Sequence, residues 1–233
     1  MENVRYLLSL WRFWVALAIV GTITWIFHMI APAEHNPWKP IHLDDPIGLA
    51  TYRKFTNLKH NREACFRALD EAGVQYTPLE DEVTGENCGF RGALTLDRTL
   101  TPYSRTVSLT CPMAAALYVW ERQAARPLAE ELLGSSVAQI ETYGAYSCRN
   151  IAGTKRRSQH ASANAIDISG IRLADGRLVD VEDHWHEDSA ESDYLRAIHD
   201  TACRLFSVTL GPDYNAAHAD HFHLDFGSVE TCR

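Results

Sequence analysis

The chain has 233 residues, 46% of them apolar and 22% charged, with a formal net charge of -8. That balance excludes a disordered chain and suits one globular domain of ordinary size plus a tail. Its acidity argues against a nucleic-acid partner, since the longest basic run is only Lys155-Arg156-Arg157.

Residues 1–12 read as a short cytoplasmic tail. From Phe13 to Ile30 there is no Asp, Glu, Lys or Arg. A helix over that stretch rises about 27 Å, near the thickness of a bilayer's hydrocarbon core. Trp11, Trp14 and Trp25 suit interfacial or near-interfacial positions, and Arg5 and Arg12 before the span keep the N-terminus in the cytoplasm. The expectation is a transmembrane signal-anchor over 13–31. The alternative is a cleaved signal peptide, with Ala31-Pro-Ala33 resembling a cleavage site. Both readings export the rest of the chain.

Pro32, Pro37, Pro40 and Pro46 mark residues 32–60 as a semi-extended juxtamembrane linker. The folded domain is expected over 61–233. Asn61 caps a helix that Gly73 ends. Ala93–Leu96 and Val107–Cys111 read as strands. Pro112 opens a helix, Pro127 breaks it, and a second short helix stops at Gly134. Val137–Tyr143 reads as a strand. Ala163–Leu173 and Arg177–Val181 flank Ala174-Asp175-Gly176 as a hairpin. Residues 191–209 form an amphipathic helix, and Ala219–Phe226 is a final strand. The mixture predicts an α+β fold, with helices around a small antiparallel sheet and one transmembrane helix before it.

Cys65, Cys88, Cys111, Cys148, Cys203 and Cys232 all follow the membrane segment. Export makes three disulfides the natural reading. Sequence does not choose the partners; sequential pairing is the working expectation. No C-x-x-C occurs, which disfavours a cysteine zinc site.

Strand alternation gives the chemistry its shape. In Ala165-Ile-Asp-Ile168, both isoleucines face the core and Asp167 faces away. In His221-Phe-His-Leu-Asp225, the two histidines and Asp225 share one face. Neighbouring strands would bring Asp167 and His223 to one point, with His160 arriving from the preceding loop. Two imidazoles and a carboxylate suit one zinc ion with a position left for water. Asp220 is the candidate general base, His221 its companion, and Asp225 can orient a ligand imidazole. Arg149 can meet a substrate carboxylate or an oxyanion. His184, His186, His199 and His218 are expected at the surface or in packing.

The order S-x-H-x6-D, D-x-x-H, H-x-H resembles the zinc peptidase superfamily of D-Ala-D-Ala carboxypeptidases, lysostaphin-type enzymes and the hedgehog signalling domain. More narrowly, Cys65 to Cys232 is similar to the extensin-like C-terminal family of bacterial proteins. The shared features are Tyr146-Ser-Cys-Arg149, Ser158-Gln-His160, Asn164-Ala-Ile-Asp167 and Ala217-His-Ala-Asp-His-Phe-His-Leu-Asp225. The resemblance implies zinc on His160, Asp167 and His223, with Asp220, His221 and Arg149 as the catalytic groups. One departure is visible: the superfamily often has Gly between the first two ligands, where this chain has Ser162-Ala163.

The function so implied is a zinc metallopeptidase, anchored in the inner membrane and facing the periplasm, that hydrolyses peptidoglycan stem-peptide or cross-link amides. The alternative is a non-catalytic, zinc-containing module that binds cell-wall peptide.

Overall fold

The computed structural model describes residues 2–233, with side chains described from Leu10 onward, so Arg5 lies outside the described side chains. Helix α1 (Glu2–Ile30) contains the expected apolar stretch, and none of its window Leu10–Ile30 is buried within the fold. A helix that is apolar on every face and has no protein cover needs an apolar environment. It is compatible with a single-pass anchor or with a signal sequence.

Residues 32–60 are not the semi-extended linker that their prolines suggest. They fold back as a collar containing helix α2 (Thr51–Leu58), and Leu43, Ala50, Phe55 and Leu58 are buried. Lys54, also buried, donates from Nζ to the carbonyls of Ala33 (2.7 Å) and Pro40 (3.1 Å). Tyr118 Oη donates to Asp44 (2.8 Å), and the Ile47 N–H donates to Gln123 (2.8 Å). The Lys54 amine thus serves two backbone carbonyls of the irregular collar, while Asp44 and the Ile47 N–H tie it to Tyr118 and Gln123, which explains how a Pro-containing segment can be held so firmly.

Beyond the collar, Asn61 caps α3 (Arg62–Glu71) by accepting from the Ala64 N–H, and Gly73 follows at φ +70°. Next come strand β1 (Gln75–Pro78), the hairpin β2 (Glu82–Gly85) and β3 (Cys88–Phe90), then β4 (Ala93–Arg98) and β5 (Pro102–Thr110). Helix α4 (Cys111–Trp120) has Pro112 in its first turn, and all its residues are buried. It is the hub of the core, with α2 and α3 packed against it. Pro127 has no N–H to continue the helix, and the chain passes through a π-helical turn (Glu121–Ala125) into α5 (Arg126–Leu133), which ends at Gly134 in the left-handed region.

Strands β6 (Val137–Gly144), β7 (Ala165–Leu173) and β8 (Leu178–Asp180) follow, then helices α6 (Val181–His184) and α7 (Ala190–Ala202). Strands β9 (Val208–Leu210), β10 (Phe222–Asp225) and β11 (Thr231–Cys232) complete the chain. The segment 191–209, expected as one helix, thus ends its helix at Ala202 and gains a strand. The sheet also corrects the expectation of a small antiparallel one. It has nine strands in the order β1-β4-β5-β6-β7-β10-β9-β11, with β8 on β7. The β5–β6 and β9–β11 pairs are parallel, so the sheet is mixed.

Three disulfides form: Cys65–Cys111, Cys88–Cys148 and Cys203–Cys232. Sequential pairing holds only for the last. The first two interleave, because Cys65 on α3 faces the start of α4 while the β2–β3 hairpin reaches across to the segment after β6.

Glu121, fully buried at the start of the π turn, accepts from Thr99 Oγ1, the Thr101 N–H (3.0 Å) and Tyr103 Oη (2.8 Å). Burial pushes its pKa up to about 7 from 4.5, despite those donors. The folded state therefore holds this proton more tightly than the unfolded chain. The resulting stability is complete below pH 4.5 and disappears as pH rises through 7. At about 1.4 kcal/mol per pH unit, the window is worth about 3 kcal/mol. Glu121→Gln should shift overall stability, because an amide NH2 meets the Thr101 N–H, but it should flatten the slope. Chemical denaturation at pH 5 and pH 8 checks this; parallel losses in both proteins would refute it.

Candidate metal centre

Strands β7 and β10 pair antiparallel with Asp167 directly opposite His223. Both side chains are buried on the same face, as the alternation of apolar neighbours requires. His160 comes from a 3-10 turn (Gln159–Ser162) that Ser158 caps by accepting the His160 N–H. The turn ends with buried Ala163 at φ +54°, a conformation that glycine adopts without strain. This is the place where the resemblance leads to the expectation of Gly; the Thr110 N–H on the Ala163 carbonyl (2.8 Å) helps hold it. Opposite Asp167, β6 bulges, and Gly144 takes φ +124°.

Three ligand atoms converge. His160 Nε2 lies 3.1 Å from Asp167 Oδ1 and 3.1 Å from His223 Nδ1, and His223 Nδ1 lies 2.9 Å from Asp167 Oδ1. Groups outside this triangle fix the tautomers. His160 Nδ1–H donates to the Ala145 carbonyl, and His223 Nε2–H donates to Asp225 Oδ2 at 2.9 Å. Asp225 is held in turn by the Gly227 N–H at 2.6 Å. With both outer nitrogens committed as donors, the inner nitrogens face each other and Asp167 with lone pairs. Three electron-rich atoms this close need a positive charge among them.

A tetrahedral zinc with bonds of about 2.05 Å separates its ligand atoms by about 3.3 Å, close to the spacings found. The donor set therefore fits zinc, and carbonyl and carboxylate partners on the far nitrogens are the usual supports of such ligands. A proton is the other cation that can sit there. Burial disfavours charge on His223, but Asp167 and Asp225 outweigh it and raise its pKa to about 9. Burial likewise opposes an ionised Asp167, yet hydrogen bonds and charge from His160 and His223 hold its carboxyl far below the usual range. Metal entry would have to displace a proton.

The remaining expected residues border this cluster at different depths. His221 Nε2 lies 3.5 Å from Asp167 Oδ1, while its Nδ1–H donates to Asp220 at 2.7 Å. Asp220 therefore stands one residue removed from the ligands, behind His221. Arg149 extends a half-exposed guanidinium to within 3.6 Å of Asp167 Oδ2. A groove of about 540 Å³ opens over the cluster, lined in part by Arg149, Arg156, Tyr214, His218, His221 and His223. A slightly larger cavity, about 580 Å³, lies by Leu58, Phe90 and Cys111 and touches none of the ligands. Convergent donors, not size, identify the site.

Two further side chains border the site that the sequence did not assign to it. His218, expected at the surface or in packing, lies on the groove wall with its ring 5.2 Å from His221 and 5.8 Å from His223. Its Nδ1–H donates to Asn215 Oδ1 (2.8 Å); burial and the neighbouring imidazoles lower its pKa to about 4. The spacing His218-x-x-His221-x-His223 was the available signal. Tyr143 packs edge-on to His221 at 5.7 Å, and burial, with Asp220 nearby, raises its pKa. Nothing in the sequence marked it. His199 does serve packing, buried between Trp185 and Phe222.

The family model described as extensin-like protein C-terminus matches residues 63–233. The chain belongs to this family. Comparison with curated proteins and with solved structures finds no match. All three metal-ligand candidates and their bordering residues lie inside the extensin-like region, whereas α1 and the collar precede it.

Proposed function

We propose that this extensin-like protein is a membrane-anchored, zinc-dependent peptidase that hydrolyses stem-peptide or cross-link amides of peptidoglycan. On this reading it is a member of the superfamily of D-Ala-D-Ala carboxypeptidases and lysostaphin-type enzymes. The observation that carries it is the buried triangle of His160 Nε2, Asp167 Oδ1 and His223 Nδ1, with the far nitrogen of each imidazole already bonded. Zinc held there polarises a carbonyl and makes water nucleophilic near neutral pH.

The chain's own groups handle the protons and charges. His221 offers Nε2 as an acceptor, because Asp220 fixes Nδ1 as the protonated nitrogen. Asp220 also stabilises the imidazolium that forms before the proton passes to the leaving amine. Arg149 lies open to the groove and suits a substrate carboxylate or a developing oxyanion. Three disulfides fit an extracytoplasmic domain, and α1 fits an inner-membrane anchor with that domain in the periplasm.

The basic rim of the groove, Arg149, Arg156 and Arg157, also suits a second reading, in which zinc-containing protein binds anionic wall peptide without cutting it. Mass spectrometry of muropeptides after incubation with full-length, detergent-solubilised protein separates the two. The expected result is about one zinc per chain and new, shortened peptides whose formation stops on chelation. Zinc-loaded protein that binds the peptides and leaves their masses unchanged would favour the second reading.

A further inference from the structure

The end of α1 is tied to the domain rather than hinged to it. Asn36, fully buried, donates from Nδ2 to the His28 carbonyl (3.2 Å), and Lys39 Nζ donates to the Ala31 carbonyl (2.8 Å). A helix leaves its last carbonyls without partners, and near a hydrocarbon boundary water is a poor substitute. Here two side chains of the collar supply those partners. The chain then turns so that the Trp38 ring lies edge-on to Phe27 at 6.3 Å. Phe27 precedes the end of the helix at Ile30 by three residues, about 4.5 Å along the axis. Trp38 thus points back alongside the last turn of the apolar span, and 64% of its surface remains exposed.

A second apolar side chain is fixed close by. The Leu49 N–H donates to His35 Nδ1 (3.1 Å), and the Ala50 N–H donates to the Glu34 carbonyl (2.9 Å). Gly48 lets this loop approach: a Cβ there would fall 2.4 Å from the Glu34 oxygen. The backbone around Leu49 is therefore immobilised against the turn Ala33–His35 that directly follows α1, yet the residue is 90% exposed. Lys54 draws the collar together at the Ala33 carbonyl, and Asp44 and the Ile47 N–H fasten it to Tyr118 and Gln123. Solvent gains nothing from two apolar side chains held rigidly outward beside a lipid-seeking helix. A bilayer does, and indole in particular favours its interface.

We propose that residues 31–50 are a membrane seat: Trp38 and Leu49 enter the lipid interface beside α1 and hold the domain directly on the bilayer. The partner is the same bilayer that α1 crosses. The inference depends on that membrane reading and is independent of the peptidase reading.

Nitroxide labels on full-length protein in phosphatidylethanolamine–phosphatidylglycerol vesicles test it, with collision rates measured against oxygen and a water-soluble nickel chelate. Labels replace Val20 in mid-span, Trp38, Leu49 and Val83, the last being 80% exposed on the β2–β3 hairpin. Positions 38 and 49 should be shifted toward oxygen relative to 83, though less than 20. Water-like values at 38 or 49 overturn the seat. Water-like values at 20 overturn the anchor and the seat with it, leaving any muropeptide cleavage unaffected. Should a label at 38 disturb folding, quenching by brominated lipid compares wild type with Trp38→Phe, which keeps the ring contact to Phe27. The variant should lose part of the quenching seen in wild type, and equal quenching in both would count against lipid contact at Trp38.

Discussion

Asp220→Ala should lower the rate of amide hydrolysis by about 10²–10⁴-fold while bound zinc stays at the wild-type level. The carboxylate bonds to His221 and to none of the three ligand side chains, so the metal's surroundings survive its removal. What is lost is the group that fixes the His221 tautomer and balances the charge formed on it. His221→Ala should cost a similar factor. Because the two residues act through one imidazole, the double variant should fall little further than either single one. Kinetics with a synthetic stem peptide, alongside zinc analysis of each variant, checks all three values. An Asp220→Ala protein that cleaves at the normal rate would remove this pair from the mechanism.

Asp167→Asn should abolish the zinc dependence of stability. In the wild type, zinc at a thousandfold excess over its dissociation constant should add about 4 kcal/mol. For a domain of this size that corresponds to a melting temperature about 8–16 °C higher. The amide keeps the shape of Asp167 but removes the charge that the facing imidazoles share with it. Zinc should then leave the melting temperature nearly unchanged, and activity should disappear. Thermal unfolding with and without chelator measures the effect directly. An undiminished zinc-induced shift in the variant would show that this carboxylate is not a ligand.

Much of the site could be read from the sequence because strand geometry is a strict rule. A period of two fixes which face each residue of 165–168 and 222–225 occupies, and the register then sets Asp167 opposite His223. Motif order carried His160 into the same cluster. Other features depend on contacts between distant segments, which periodicity does not encode. The interleaving of Cys65–Cys111 with Cys88–Cys148 follows from how α3 and the β2–β3 hairpin dock. Four prolines suggested an extended linker, but the buried amine of Lys54 folds that segment by reaching its Ala33 and Pro40 carbonyls, and the amide of Asn36 ties it back to the His28 carbonyl of α1. The hydrogen bond from His221 to Asp220, the preceding residue in the chain, is likewise a contact that strand alternation does not predict.

The stretch 145–149 aims much of the site: the Ala145 carbonyl receives His160 Nδ1–H, the Ser147 N–H meets the His160 carbonyl, and Arg149 leans over Asp167. Cys148 lies within it, strapped to Cys88. A newly made copy whose thiols are still reduced lacks that brace, and loss of such a strap typically costs about 2–5 kcal/mol. The arrangement of its histidines is therefore expected to be looser until oxidation fastens the strap.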